Sequence, residues 1–302
     1  MTLVTVPCAV CQGTTFESIY PTTIFDVATD PSRFFGSSRR RAGHLEIVRC
    51  SACGLVLSNP QDDTATLASV YTALEDEAYE GEHDNRRRAA RHYLELMRRY
   101  QPKPARLLDV GCATGVFVCA AREVGWDATG LDASSWMITR ARSRCPAATF
   151  LIAGLGEARF ATGAFDVITL WDVLEHAPAP RQALESLHRW LRPGGWLLLS
   201  VPNVASMTAR LMGRHWVMLL REHLWYFSPA TMARLLSRTG FDPVRIRPEW
   251  RRFSSGSVVA RLTQYPGIVG AASGGLSRLP LAGRLPLRLA IGEMDVVARA
   301  RP

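Results

Sequence analysis

An α/β chain built on a doubly wound, mostly parallel sheet of seven strands, with a small module in front of it, is what the sequence predicts, and three observations carry the prediction. Apolar runs of strand length alternate with periodic stretches of helix length between residues 105 and 203. "LLDVGCATG" at 107–115 describes a buried strand that turns sharply, through Gly111 and Gly115, into a helix. Two Cys-x-x-Cys pairs stand near the start of the chain, outside the alternating region. Such alternation implies parallel strands joined by helical crossovers, with both sheet faces covered and a ligand crevice at the strands' carboxyl ends.

Residues 1–60 alternate short apolar runs with Pro, Gly and Ser turns and hold Cys8 and Cys11 in "CAVCQG" and Cys50 and Cys53 in "CSACGL". Two such turns present four thiolates to a tetrahedral ion, and the nearby glycines let the backbone fold closely around it. The pattern is that of a zinc ribbon. Four ligands close the coordination shell, so the zinc is expected to be structural and to perform no chemistry. Unpaired thiols or small redox motifs are the alternatives, but neither pair sits in a thioredoxin-like βαβ context. Cys112, Cys119 and Cys145 lie in apolar or helical surroundings and suit packing.

From 61 to 104 the chain reads as a helical linker or lid, with Leu67, Val70 and Leu74 and then Tyr93, Leu94 and Met97 at helical spacing, ended by "QPKPAR". Residues 105–302 form the main domain. Strands are expected at 106–110, 127–131, 148–152, 166–171 and 196–201, and helices near 115–124, 134–143 and 180–191. "SPATMARLLSRTGF" opens on a Ser cap and a Pro in the first turn and closes on Gly, a complete helix signal. Two further strands are expected near 243–249 and 293–299. The stretch 263–290, rich in Gly, Leu, Pro and Arg, reads as a loosely packed excursion. Its "LSRLPLAGRLPLRLA" could also form a lid or a peripheral membrane contact on anionic lipid, although Pro280 and Pro286 break any long helix.

Composition bounds the class. With 302 residues, 47% of them apolar, the chain can bury one large core and a smaller appendage. No uninterrupted apolar run is long enough to span a bilayer, and "MTLVTVPCAVC" lacks the basic and apolar regions of a signal peptide, so a soluble, cytoplasmic protein is expected. The formal charge of +9 is mostly arginine, with runs at Arg39–Arg41 and Arg86–Arg88. It suits phosphosugars, anionic lipid or nucleic acid, and equally a plain solvated surface.

Three ligands compete for the loop. A nucleoside triphosphate wants Gly-Lys-Ser or Gly-Lys-Thr at its end, and neither is present. A dinucleotide wants a further glycine where Ala113 stands. Asp109 at the strand end is a poor neighbour for pyrophosphate and a good one for a ligand carrying an ammonium and a sulfonium. Asp132, ending the next strand in "TGLDAS", can accept hydrogen bonds from both hydroxyls of an unphosphorylated ribose.

"LLDVGCATG", "GLDAS", "FDVITLWDVLEH", "LRPGGWLLLSVPN" and "EHLWYFSPATMARLLSRTGF", in that order, resemble the class I S-adenosylmethionine-dependent methyltransferases over roughly 100–250. The resemblance implies a Rossmann-like sheet with S-adenosylmethionine as cofactor. It implies that Gly111 and Gly115 admit the methionine and ribose portions, that Asp109 sits near the amino end, and that Asp132 holds the ribose. Cys112, Ala113, Ala133, Leu155 and Trp171 complete the implied cofactor set. Leu155, in "IAGLGEARF", occupies a point where many relatives carry an aspartate that reads adenine, which leaves that contact to backbone groups or Glu157.

"WDVLEH" places Trp171, Asp172, Glu175 and His176 on the acceptor side, with His176 the leading general base because imidazole exchanges protons near neutrality. A capping or salt-bridged histidine is the plain alternative. Asp172, Glu175 and His176 at i, i+3 and i+4 would share a helical face, with His223 from "REHLWYF" as a fourth group. The set is similar to the ExxEH plus distant His that binds a divalent ion in ubiquinone-type O-methyltransferases and small-RNA 2′-O-methyltransferases, where the metal would acidify one of two vicinal hydroxyls. Asp in the first position shortens the reach. The ribbon fused to this core also resembles sugar C-methyltransferases, so a small-molecule acceptor (a sugar, natural-product or lipid-linked hydroxyl or carbon) is expected, with Tyr71, Tyr79 and the "EHLWYF" aromatics suited to stacking on it. Two rivals remain. An RNA methyltransferase would use the ribbon and the basic surface, but no lysine-rich groove, Asp-Pro-Pro-Tyr motif or Pro-Cys pair is present, which argues against nucleic acid. A non-catalytic binding module would have no need of Asp109, Gly111, Gly115 and Asp132 together.

Overall fold

The computed structural model describes residues 2–24, 34–36, 43–254, 286–290 and 292–302. The Arg39–Arg41 run and, except for 286–290, the 263–290 excursion lie outside the described residues.

The N-terminal strands β2 (Phe16–Tyr20), β3 (Ile47–Cys50) and β4 (Val56–Ser58) form an antiparallel sheet, and β11 (Trp225–Tyr226), from far along the chain, joins it at the β4 edge. A small ribbon pairs β1 (Leu3–Val4) with β5 (Gln61–Asp62). Helices α1 (Thr64–Thr72), α2 (Glu77–Gly81) and α3 (His83–Arg98) follow. Asp63 and Asp76 cap α1 and α2 by accepting from the amides of Thr66 and Tyr79.

The main sheet has the order β12-β15-β10-β9-β6-β7-β8, with β6 (Arg106–Val110), β7 (Asp127–Asp132), β8 (Thr149–Ile152), β9 (Phe165–Trp171), β10 (Leu191–Pro202), β12 (Phe241–Pro248) and β15 (Glu293–Ala300). The five strands from β10 to β8 are parallel, and β15 runs antiparallel to both β10 and β12. The apolar runs of β6, β9 and β10 are buried on both faces, as a central parallel sheet requires. Helices α4 (Val116–Glu123) and α5 (Ser135–Arg144) lie with α3 on one face, against Leu107, Val167, Leu198 and Val297. On the other face α6 (Pro180–Trp190) and α8 (Pro229–Arg238) share one apolar cluster with Cys8, Val10 and Leu55 of the N-terminal turns and Leu57 of β4. A short helix α7 (Met207–Met212) precedes β11, and β13 (Arg251–Ser254) pairs with β14 (Pro286–Leu289). No described helix is long and apolar enough to cross a membrane.

Polar ties fix the N-terminal sheet in place. Arg221, fully buried, grips Asp62 in a bidentate pair at 2.9 and 2.7 Å, and Arg181 and Arg238 donate to the carbonyl of Val10 at 2.6 and 2.8 Å. Strand order reverses between β6, which continues to β7 and β8, and β9, which continues to β10 on the opposite side. The crevice opens where their carboxyl-end loops part.

Candidate active site

The loop after β6 bends because Gly111, Ala113 and Gly115 adopt left-handed φ values of 70°, 46° and 74°. A side chain at 111 would collide with Val173, and one at 115 with Ala141 and Phe150, so close approach as well as conformation requires glycine there. The amides of Gly111 and Cys112 donate to the Leu131 carbonyl at 2.7 and 3.1 Å. Asp132 Oδ2 accepts from the Ala113 amide and Oδ1 from the Ser134 amide, both at 2.9 Å. Backbone amides, with a further one from Ala133, thus hold both carboxylate oxygens in place while the group still lines the cavity. Beneath the loop Asp109 is buried and accepts from Thr169 Oγ1 at 2.7 Å. Burial pushes its carboxyl up to about 7; the Thr169 hydrogen bond opposes this and the Asp132 charge adds to it.

A cavity of about 650 Å³ lies over these strand ends. Strand order arranges its wall. Asp132, Ala133, Leu155 and Glu157 line it beside β7 and β8, Gly111, Ala113 and Trp171 at the centre, and Asp172, Glu175, His176, Glu222, His223 and Glu293 beside β9 and β10. Among the residues expected around the cofactor, three stand behind the wall. Asp109 lies below the floor, the Cys112 side chain turns into the core towards Gly130, and Gly115 is occupied in packing α4 against α5 and β8. In each case the cause is local: an inward-pointing strand position, or a glycine whose missing Cβ serves packing. Trp171 stacks face to face on Tyr93 with ring centroids 3.8 Å apart.

Helices α1 to α3 cover the cavity with Tyr71, Leu74, Tyr79 and Arg86. Ser134 Oγ donates to the Leu74 carbonyl at 2.7 Å, Arg144 bonds both Glu80 and the Thr114 carbonyl, and Tyr71 and Phe35 meet edge to face. The Arg86 guanidinium lies 3.1 Å from the centroid of the Tyr79 ring. Arg86 had no signal in the sequence beyond its place in a basic run and Glu293 had none, while Glu222 stands beside His223 in "EHLWYF"; only folding brings the three to the crevice.

At the β9 end of the cavity Asp172 takes a left-handed φ of 58°, and its carboxylate accepts from Ser200 Oγ at 2.8 Å. Only Leu174–His176 form a helical turn, of 3₁₀ type. The expected shared face of Asp172, Glu175 and His176 is thus corrected. Left-handed backbone at 172 starts the turn too late, and the close set is Glu175, His176 and His223, whose ligand atoms lie within 4.8 Å of one another. His176 Nδ1 is 2.9 Å from the Glu222 carbonyl and His223 Nδ1 is 2.8 Å from that of Met218. A carbonyl only accepts, so each neutral ring carries its proton on Nδ1 and its lone pair on Nε2, the form that serves as base or metal ligand. Burial, reinforced by Asp172, Glu293 and Glu222, holds the Glu175 carboxyl well above its usual range.

The four ribbon cysteines meet as well. Cys8 Sγ is 3.4 Å from Cys53 Sγ, and Cys11 Sγ is 3.4 Å from Cys50 Sγ; all four are free thiols within 4.8 Å of one another. Tetrahedral thiolates around zinc lie roughly 3.8 Å apart, whereas a disulfide needs about 2 Å. Burial pushes the Cys8 thiol up. At Cys11 burial acts the same way, but the Gly13 amide and the other three sulfurs prevail and lower it to about 7.

The sheet order, the crevice at its switch point and the Asp132 loop define a class I S-adenosylmethionine-dependent methyltransferase fold. A family described as a methyltransferase domain matches residues 82–246, more than half of the chain, and the protein belongs to it. A ubiquinone biosynthesis O-methyltransferase of Thiobacillus denitrificans is 28% identical over 149 residues, covering 45% of this chain and 64% of that protein. Its namesake from Bordetella avium is 27% identical over 154 residues, covering 47% and 64%. The chain thus spans a little under two thirds of the length of these curated relatives. One chain of a complex between a Haloferax volcanii methyltransferase activator and a methyltransferase superposes with a TM-score of 0.51 at 18% identity, covering 76% of this chain and 100% of that one.

Proposed function

We infer that the protein transfers the methyl group of S-adenosylmethionine to a hydroxyl or carbon of a small-molecule acceptor, a sugar, natural product or lipid-linked compound. The observation that carries this is one continuous cavity joining Asp132 to the Nδ1-anchored pair His176 and His223. The residues fit the cofactor: the Asp132 carboxylate faces the cavity as an acceptor for the two ribose hydroxyls, Asp109 supplies negative charge under the loop, and Arg86 on the roof suits the methionine carboxylate. Bound S-adenosylmethionine supplies an electrophilic methyl on a sulfonium. The chain's part is to align the acceptor, to keep water out beneath α1 to α3, and to take the acceptor's proton on His176 Nε2. The Glu222 carbonyl fixes the ring that does so.

A second reading keeps the same fold and acceptor class. Glu175, His176 and His223 would hold a divalent cation, which would acidify one of two vicinal hydroxyls; Glu175 Oε2 is buried and has no hydrogen-bond partner among the described residues, as a ligand oxygen would. The four cysteines are assigned to a structural zinc ion. The ubiquinone-pathway relatives favour oxygen over carbon as the methyl acceptor. These readings are tested by incubating the zinc-replete protein with labelled S-adenosylmethionine and a panel of phenols, catechols and sugars, with and without chelator, beside His176→Asn. Label transfer that needs His176 supports base catalysis, and transfer lost on chelation and restored by a divalent ion supports the metal route. Cofactor binding without transfer to any member of the panel would refute the small-molecule assignment.

A further inference from the structure

Away from the ribbon and from the Glu175 cluster, a third group of metal-ligating side chains gathers under α3. His92 of α3, Glu249 just past β12, and Asp295 of β15 bring their ligand atoms within 4.8 Å of one another. We propose that His92, Glu249 and Asp295 form a binding site for a divalent first-row transition ion of the Mn2+ class, which ties α3 to the edge of the sheet.

Three elements distant in sequence converge here, and they converge on a buried charge. Asp295 is 3% exposed, flanked across the sheet by Ser200 of β10 and Arg247 of β12, and its Oδ1 has no hydrogen-bond partner among the described residues. Its other oxygen lies 3.8 Å from His92 Nε2, an ion-pair distance too long for a good hydrogen bond, and it draws a proton onto that imidazole when no cation is bound, the place a cation would take. A carboxylate inside a protein is costly unless it is paired or coordinates a metal. Ligand atoms around an ion of this class lie roughly 3 to 4.4 Å apart, so small side-chain rotations would close the set. Tyr93 Oη donates to Glu249 Oε1 at 3.3 Å, an outer hydrogen bond of the kind that orients a ligating carboxylate. One imidazole and two carboxylates favour an ion that accepts hard oxygen as well as nitrogen ligands, unlike the four thiolates of the ribbon.

The consequence reaches the cavity. Tyr93 follows His92 on α3 and stacks on Trp171 in the cavity wall, so an ion that fixes His92 also fixes the position of that stack. The site shares no ligand with Glu175, His176 and His223, and it stands or falls independently of methyl transfer.

The test is Mn2+ titration of the zinc-replete protein, with free Mn2+ followed by electron paramagnetic resonance. A saturable Mn2+ equivalent is expected in the wild type, retained in a Glu175→Gln/His223→Gln variant and weakened at least tenfold in His92→Gln and in Asp295→Asn. His92 is half-exposed, so its substitution empties no core position, and circular dichroism checks that both variants fold. The proposal is overturned if the wild type binds no Mn2+, if all binding vanishes with Glu175 and His223, or if folded His92→Gln binds Mn2+ as the wild type does.

Discussion

Asp132→Ala probes the assignment of the cavity most directly. In the structure the Asp132 oxygens accept backbone amides from Ala113 and Ser134, with Ala133 alongside, and both still face the cavity with acceptor capacity for a ligand. Two ribose hydroxyls would use both. A hydrogen bond to a charged group contributes about 1.5–3 kcal/mol, so losing the pair should weaken S-adenosylmethionine binding by about 3–6 kcal/mol, roughly two to four orders of magnitude in Kd. Water can reach the two released amides through the cavity, so the fold should survive. The assay is isothermal titration calorimetry with S-adenosylmethionine and S-adenosylhomocysteine, with a thermal melt as the control for folding. A folded variant whose Kd lies within threefold of wild type would refute the ribose assignment and, with it, the cofactor pose.

Other expectations follow from the same geometry. Because burial raises the Asp109 carboxyl to about 7 from an unfolded value near 4, its contribution to stability is fully present below pH 4 and is lost as pH rises through 7. A cationic cofactor above Asp109 would favour the ionised form, so the thermal shift on binding should grow between pH 5.5 and 8 and flatten in Asp109→Asn; equal pH dependence in both proteins would count against that placement. Gly111→Ala forces an L-residue into left-handed backbone, about 1–2 kcal/mol, and a methyl into Val173, about 1–3 kcal/mol, so urea denaturation should show a loss of about 2–5 kcal/mol; a loss below 1 kcal/mol would mean the loop yields easily. Cys50→Ser should abolish stoichiometric zinc by metal analysis and raise hydrogen exchange over β2 to β4, and full zinc retention would sink the four-thiolate assignment.

What the sequence by itself determined were the properties that local chemistry controls. Alternation of strand-length and helix-length runs placed β6, β7, β8 and β9 within a residue or so of where they lie, most plainly β6 and β9, whose apolar stretches a buried central parallel strand needs. β10 begins earlier than expected, at Leu191, since the chain takes up pairing with β9 and then breaks register before Trp196. Glycines in "LLDVGCATG", the carboxylate ending β7 and the paired cysteines were legible for the same reason: turn conformation and ligand type are written in a few adjacent residues. Tertiary structure decided everything that depends on distance through space. It put β11 on the edge of the N-terminal sheet, drew Glu222, Glu293 and Arg86 to the cavity, withdrew Asp109, Cys112 and Gly115 behind its wall, and closed Glu175, His176 and His223 into one cluster with Asp172 just outside it. It also assembled His92, Glu249 and Asp295 from three elements with no motif in common. Backbone handedness at a single residue, and the packing of a helix over a sheet edge, set such neighbours, and neither has a period or a spacing that a linear sequence displays.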